Sequence, residues 1–446
     1  MIAKKQQTLE NGQKQDIKHT KTRHFLKNLE NELVYRMGVV KMRALVISIF
    51  LAVSLFNFLL KYLTYSRLGS PVPDNVRDIF DEEGYKKNQL YLMANMKFSL
   101  VAGLVDFTLT LAILLLNFHS FLFDYISNYT VNIYLTSLFI IIVPQVISTV
   151  IDTGFDIYDT YVIEERFGFN KTTVKTFIAD FFKEKALMLT IGCGIILLFL
   201  LMYEKMGNGV FVAFFFVIIA FLLFMTFISP FLIRIFNKLT PLEEGGLKTK
   251  IEELLRSSGY KIKGIYMVDA SRRSTGLDAF ATGFGKTKTI GLYDTLLDKM
   301  TDDEIVSILA HEVGHVKKHH VLKATSLSII ITAFGFLAAY FIITMPSVSM
   351  AFGFNEANII FGLIIMMILI APVSILLKFP LNAISRKYEF EADAFEKEMI
   401  GKEIPVSALK KIYREDLGNL TPHPFVVRVN HSHPTASQRI AALEKD

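Results

Sequence analysis

Seven apolar stretches set the frame of this chain: Ala44–Tyr65, Phe98–Asn117, Val131–Ile151, Ala186–Tyr203, Gly209–Ser229, Thr325–Thr344 and Ile359–Leu377. A hydrocarbon layer about 30 Å thick needs about 20 apolar helical residues. Each stretch therefore predicts a helix that crosses a bilayer. One such run is compatible with a buried core helix, but seven in one chain are not. Polar residues collect in two long segments, about 230–324 and 378–446, each large enough for globular structure outside the membrane. In the first, Ile251–Ser258 has helical character, and Ile265–Val268 and Thr289–Tyr293 have the β-rich composition and flanking turn residues of short strands. The predicted order is a basic tail over 1–43 with a helix at Phe25–Met37, spans one to five with their loops over 44–229, and a loop domain over 230–324. Spans six and seven over 325–377 and a C-terminal part over 378–446 complete it.

Two spans carry polar groups, Asn57 and Asp106. They are either tolerated defects satisfied between helices or the lining of a water-filled interior, because a charge facing lipid is costly.

Composition agrees with this frame. Hydrophobic residues make up 52% and charged residues 20% of the 446, which excludes a simple water-soluble enzyme and a disordered chain. A single cysteine, Cys193, excludes an internal disulfide framework. The net charge of +6 is unevenly placed. Segments 118–130 and 345–358 have no Lys or Arg, whereas those after spans one, three, five and seven are rich in both. The positive-inside rule puts the latter four on the cytoplasmic side. The basic tail breaks the pattern, since seven spans place it opposite the C-terminus. The charge thus reads as loop topology beside a lipid bilayer, and no nucleic-acid partner is predicted.

Residues 311–315 read His311-Glu312-Val313-Gly314-His315. Thr301 followed by Glu304 is a capping-box pattern, so the motif falls in the third and fourth turns of a helix. Residues four apart share a face, which lets His311 and His315 hold one Zn2+ while Glu312 takes a proton from water at the metal. His319 and His320 follow and read as solvated helix-end residues. A catalytic zinc also wants a third protein ligand and an open position. Glu389 and Asp393 lie four apart, with Arg386 three residues before Glu389 on the same side and Glu391 pointing away. Spacing alone leaves two readings open: a charged solvent face, or Glu389 as ligand with Asp393 accepting a histidine N–H. Two spans separate His315 from Glu389, so the chain returns to the membrane face it left. The C-terminal segment, with His431, His433, Pro434 and Arg439, reaches that face too. A His or Arg there can stabilise a developing oxyanion.

With these residues in place, the chain resembles the CAAX prenyl proteases of type 1, integral-membrane zinc metalloproteases. The likeness covers roughly residues 40–446. Glu389-Phe390-Glu391-Ala392-Asp393 is similar to the family's Glu-Phe-x-Ala-Asp element. Val162 to Asn170, with Asp180 and Lys183, resembles the loop after span three. Leu292 to Leu297 matches the approach to the catalytic helix, and His433-Pro434 with Arg439 fits the C-terminal element. The resemblance implies a mainly α membrane fold: seven transmembrane helices around a chamber, with a small α+β zincin-like domain built from the loop after span five and the C-terminal segment. It implies one zinc on His311, His315 and Glu389, Glu312 as general base, and His433 and Arg439 at the substrate or tetrahedral intermediate. Implied partners are C-terminal peptides of prenylated or membrane-associated proteins. The substrate-binding edge strand usually reads Asn-Ala-Tyr in the family. Here it is Asp278-Ala279-Phe280 with Gly283 following, which bears on substrate preference. The expected location is a multi-pass position in a bacterial inner membrane or the endoplasmic reticulum, with the active site on the cytoplasmic side. Two other readings stand beside this one: a quality-control zinc protease without prenyl dependence, and a non-enzymatic transporter-like bundle with a vestigial motif. The intact residue set argues against the latter.

Overall fold

The apolar stretches form helices, most of them longer than hydropathy alone marks out. The computed structural model describes residue 32 and residues 36–282 and 288–445, so most of the tail helix expected at Phe25–Met37, and Gly283, lie outside the described residues. Among the described residues, six helices are long and apolar enough to cross a membrane. The first two are α1 (Arg36–Tyr65) and α2 (Glu82–Leu115). A short helix, α3 (Phe118–Ser127), follows, then α4 (Ile133–Tyr158). Helix α4 runs on through a π-helical stretch, Asp159–Glu164, to Phe167. Much of the loop expected after span three is therefore helical.

The fourth candidate span, Val174–Met225, covers two of the predicted stretches. It contains α5 (Val174–Met206) and most of α6 (Val210–Phe236), joined by a 3-10 turn at Gly207–Gly209. Gly207 takes φ +54°, a conformation glycine reaches without a Cβ penalty. Phe199 of α5 packs edge-on against Phe211 and Phe214 of α6, with ring centroids 6.0 and 5.1 Å apart. The two helices therefore lie side by side.

Large apolar side chains such as Leu55, Val150, Phe216 and Met367 are exposed. Only 6–22% of the most apolar stretch of each of the six helices is buried. Apolar patches of that extent suit lipid as the outer solvent. Asn57 and Asp106 are also exposed, but they share a recess. With Lys61 and Asn430 they line a cavity of about 320 Å³, which favours the second of the two readings given above. Gly103 makes room there, since a Cβ would come within 2.5 Å of the Lys61 amine.

The polar segment after α6 folds into a four-stranded sheet of order β1-β2-β4-β3, with β1 at Leu239–Pro241, β2 at Gly264–Val268, β3 at Ala279–Thr282 and β4 at Thr289–Tyr293. Strands β2 and β4 are parallel, and β3 runs antiparallel to β4 and is an edge strand among the described residues. Helices α7 (Gly246–Ser257), α8 (Asp294–Lys299) and α9 (Asp302–Lys317) follow the chain around it. Ile251, Ile290, Leu292, Ile305 and Leu309 form the shared core. Arg273 ties this unit to the membrane helices by gripping Asp180 of α5 at 2.8 and 3.3 Å.

Helix α10 (His320–Ile343) leads to α11 (Ile359–Ile400), a single helix of 42 residues. The sequence reading ended an apolar span at Leu377, yet the helix passes that point unbroken. The chain closes with α12 (Glu403–Glu415), α13 (Pro424–Asn430) and α14 (Ala436–Glu444). Helix α9 lies on α11 at Gly314, where a Cβ would sit 3.2 Å from the Ala392 Cα and 3.2 Å from the Phe395 Cβ. A methyl group there would make Ala392 or Phe395 give way by a few tenths of an ångström.

Candidate active site

Helix α9 begins on the predicted capping box. The Thr301 hydroxyl accepts from the Glu304 N–H at 3.3 Å, and the Glu304 carboxylate accepts from the Thr301 N–H at 2.9 Å. The same carboxylate accepts from Ser407 and Lys411 of α12 at 2.9 and 3.1 Å, fixing the helix start to the C-terminal part. Three turns on, the rings of His311 and His315 share one face, with their Nε2 atoms 3.1 Å apart. Glu389 faces them from α11. Its Oε2 is 3.4 Å from His311 Nε2, and its Oε1 is 3.4 Å from His315 Nε2.

These separations test whether the residues fit a zinc ion. Donors at the usual zinc distances and tetrahedral angles are about 3.3 Å apart; here the two imidazole nitrogens are 3.1 Å apart and each lies 3.4 Å from a Glu389 oxygen, a different oxygen for each ring. Among the described residues Glu389 Oε2 is buried without a hydrogen-bond partner, and Arg439 Nη1 stays 4.0 Å away, a costly condition for a carboxylate oxygen unless a closer cation shares the site. The donor set of two imidazoles and one carboxylate is that of a hydrolytic zinc site. A second grouping, His311 with Asp393 and Glu396, also brings donor atoms together. A guanidinium already fills it: Arg439 donates to Asp393 through Nε at 3.0 Å and Nη2 at 2.6 Å. Asp393 Oδ1 lies 3.0 Å from His311 Nδ1, leaving Nε2 of that ring free for a metal. Arg439 itself is set by the capping box of Thr435 and Gln438 that opens α14.

The electrostatics follow from burial and neighbours. Burial pushes the Glu312 carboxyl up to about 7; Glu389 and Asp278 add to the rise, while His311 and Arg439 oppose it. A carboxyl poised there can both take and return a proton near neutral pH. Burial pushes His315 down to about 4, helped by the charge of His311, so its ring is neutral. Burial would lower His311 as well, but Asp393, Glu389 and Glu396 hold it well above its usual value. The three carboxylates make this a place where positive charge is favoured.

Glu312, Asp278, Ala279, Glu389, His433 and Arg439 line a cavity of about 270 Å³. The exposed His433 ring brings Nε2 to 3.3 Å from Glu389 Oε1. Arg386 does not reach the donor atoms. It donates to the carbonyls of Val427 and His431 at 3.0 and 2.7 Å, holding the segment that carries His433. Phe280 lies across Gly291 of β4, where a Cβ would be 2.3 Å from its ring. Residues 283–287 follow β3 and lie outside the described residues.

One expectation is overturned. His320 is not a solvated helix end: it is 3% exposed and stacks on Tyr388 at 4.2 Å. Its Nδ1 lies 3.0 Å from His315 Nδ1, and its Nε2 lies 2.9 Å from Glu391 Oε2. His319, by contrast, is exposed as expected. Glu391 does point away from the donor set, but toward His320. No spacing rule links His320 to residues 388–391, so the sequence held no signal for this contact.

Residues 61–238 match the family described as CAAX prenyl protease N-terminal, five membrane helices, and residues 241–446 match peptidase family M48. The chain is 30% identical over 417 residues to CAAX prenyl protease 1 of Saccharomyces cerevisiae, covering 87% of this chain and 92% of the yeast protein. It is 36% identical over 299 residues to the CAAX prenyl protease 1 homolog of Oryza sativa, covering 67% of this chain and 70% of the relative. The crystal structure of S. mikatae Ste24p superposes with a TM-score of 0.85 at 30% identity, over 91% of this chain and 99% of that one. Taken with the paired imidazoles and carboxylate on α9 and α11, these likenesses place the chain in the CAAX prenyl protease 1 family, as a multi-pass membrane zinc metalloprotease.

Proposed function

We propose that the protein removes the C-terminal tripeptide from prenylated proteins that end in the CAAX pattern, using one zinc ion held by His311, His315 and Glu389. The observation that carries this reading is the donor set beside Glu312: two imidazole Nε2 atoms 3.1 Å apart, each 3.4 Å from an oxygen of Glu389. When bound there, zinc supplies Lewis acidity toward the scissile carbonyl and a water of lowered pKa. Glu312 takes the proton from the attacking water and returns it to the leaving amine. His433, exposed at the cavity rim, donates to the oxyanion as it develops. Arg439 and Asp393 hold the His311 ring in register. The peptide adds to the free edge of β3 at Asp278-Ala279-Phe280, in the manner of an extra strand.

In this reading α5 and α6 are separate crossings, giving seven spans around the cavities, and the zinc site opens on the cytoplasmic side. The side-by-side packing of Phe199 on Phe211 and Phe214 supports the count. Two measurements test the proposal. Glu312→Gln should leave zinc bound and reduce cleavage of a farnesylated peptide by about 10²–10⁴-fold; cleavage near the wild-type rate would overturn the mechanism. The farnesylated peptide should also be cut far faster than its unprenylated twin. Equal rates would instead support a quality-control protease.

A further inference from the structure

We propose that His320 is a positioning residue for the metal site, holding His315 in the one tautomer that can bind zinc through a relay that ends on Glu391. The inference rests on the ligand set proposed above.

The argument is a count of protons. A neutral imidazole carries one N–H and one lone pair. His315 directs Nε2 toward Glu389 and His311, so as a ligand it must carry its hydrogen on Nδ1. That Nδ1 lies 3.0 Å from His320 Nδ1, which must therefore accept. The hydrogen of His320 is then on Nε2, 2.9 Å from Glu391 Oε2, a carboxylate that can only accept. Each hydrogen bond fixes the next. His311 reaches the same condition directly through Asp393. The two ligand histidines are thus backed by two carboxylates, one in direct contact and one through an intervening imidazole.

The backbone is shaped for this contact. Helix α9 ends at Lys317, and His319 takes φ +58°, the left-handed region that is uncommon outside glycine. That one residue turns the chain so that His320, the first residue of α10, falls back under His315. The His320 ring stacks on Tyr388 with an interplanar angle of 10°. Other groups around it are the Lys323 amine over the Tyr388 ring at 5.6 Å and Lys387, 3.7 Å from Glu391.

The test measures zinc affinity of the full-length detergent-solubilised protein by competition with a chelator, using Zn2+ alone. His320→Phe keeps the ring on Tyr388 and loses both hydrogen bonds; affinity should fall about 10–100-fold, the range for removing an outer partner of a ligand. His320→Asn loses the stacked ring but places an acceptor near the Nδ1 position, and should stay close to wild type. A packing role predicts the reverse order, which would overturn the proposal, as would wild-type affinity in His320→Phe. Glu391→Ala should lower affinity by less than His320→Phe. It decides alone if Phe at 320 yields no folded protein, and wild-type affinity there would then overturn the relay. If the wild-type protein binds no stoichiometric zinc, the ligand set fails with it; if it binds zinc and the variants do not differ, only the relay fails.

Discussion

Helix α11 contains two opposite proteins in one rod. In its first half, over 359–377, exposed positions such as Met367, Val373 and Leu376 are apolar. In its second half the buried positions include Glu389, Asp393 and Glu396. Exposure to lipid is favourable for a side chain with nothing polar to satisfy. Burial of carboxylates is tolerable only where histidines, an arginine, a serine or a metal answer them. In the second half Asp393 is answered by Arg439 and His311 and Glu396 by the Ser307 hydroxyl at 2.6 Å, while Glu389 faces two imidazoles and keeps one oxygen without a hydrogen bond, which leaves the metal to answer it. The continuity of the helix is functional, since it delivers Glu389 on a rigid arm anchored in the bilayer.

The comparison can be broken at its strongest point by Glu389→Ala. That variant should lose stoichiometric zinc and at least about 10³-fold in kcat/KM, equivalent to about 4 kcal/mol of transition-state stabilisation. Zinc analysis and peptide cleavage on the same preparation check it. Placing the chemistry of the second half into the first is the converse test. Met367→Asp puts a carboxylate on a lipid-facing position, and insertion of that helix should become less favourable by about 2.5–3.5 kcal/mol. The inserted fraction of an isolated α11 segment reports it directly. Retained insertion would mean that this face is covered by protein or water.

A smaller effect is expected where the second half touches α9. Gly314→Ala forces a methyl to 3.2 Å from the Ala392 backbone. Overpacking of this kind typically costs about 1–3 kcal/mol. Thermal unfolding should show the loss, and Glu389 should move away from the two histidines as α9 and α11 separate, so zinc affinity falls as well. If stability drops while affinity holds, the histidines reach the metal independently of helix spacing.

How much of this was legible in the sequence follows from the same contrast. The lipid-facing half declares itself, because apolar length is a local property summed over about 20 neighbours. The apolar stretches that fall in the six membrane-length helices were readable on those terms, and local signals likewise marked the capped motif helix and the strands expected at 265–268 and 289–293. Residues four apart on one helix were equally readable, so the sequence reading picked out His311 with His315 and Glu389 with Asp393. Contacts that join distant parts of the chain were not. His320 looked solvated because its spacing from His315 matches no zinc motif. Its burial depends on a left-handed residue at 319 and on Tyr388 and Glu391, about 70 positions away. Arg439 was picked out as a group for the oxyanion, yet its guanidinium is spent largely on Asp393, a partner that spacing does not name. The continuity of α11 past Leu377 was hidden for a related reason. Hydropathy reports where the solvent changes, and the helix does not stop there.

The smallest expected effect concerns the strand edge rather than the helix. Asp278 precedes β3 and lines the same cavity as Glu312. Its negative charge is one of the influences that raise Glu312, alongside burial and Glu389. Asp278→Asn removes that charge and keeps the shape. A carboxyl that loses a negative neighbour ionises more readily, so Glu312 should titrate at lower pH. A general base must be ionised to accept a proton, and the acidic limb of the kcat/KM profile should therefore move to lower pH, with the rate at the plateau changed only a few-fold. A pH–rate profile of wild type against variant checks this. A shift to higher pH, or none, would mean that Asp278 does not reach Glu312 through the cavity and that its place on the edge strand matters for peptide binding alone.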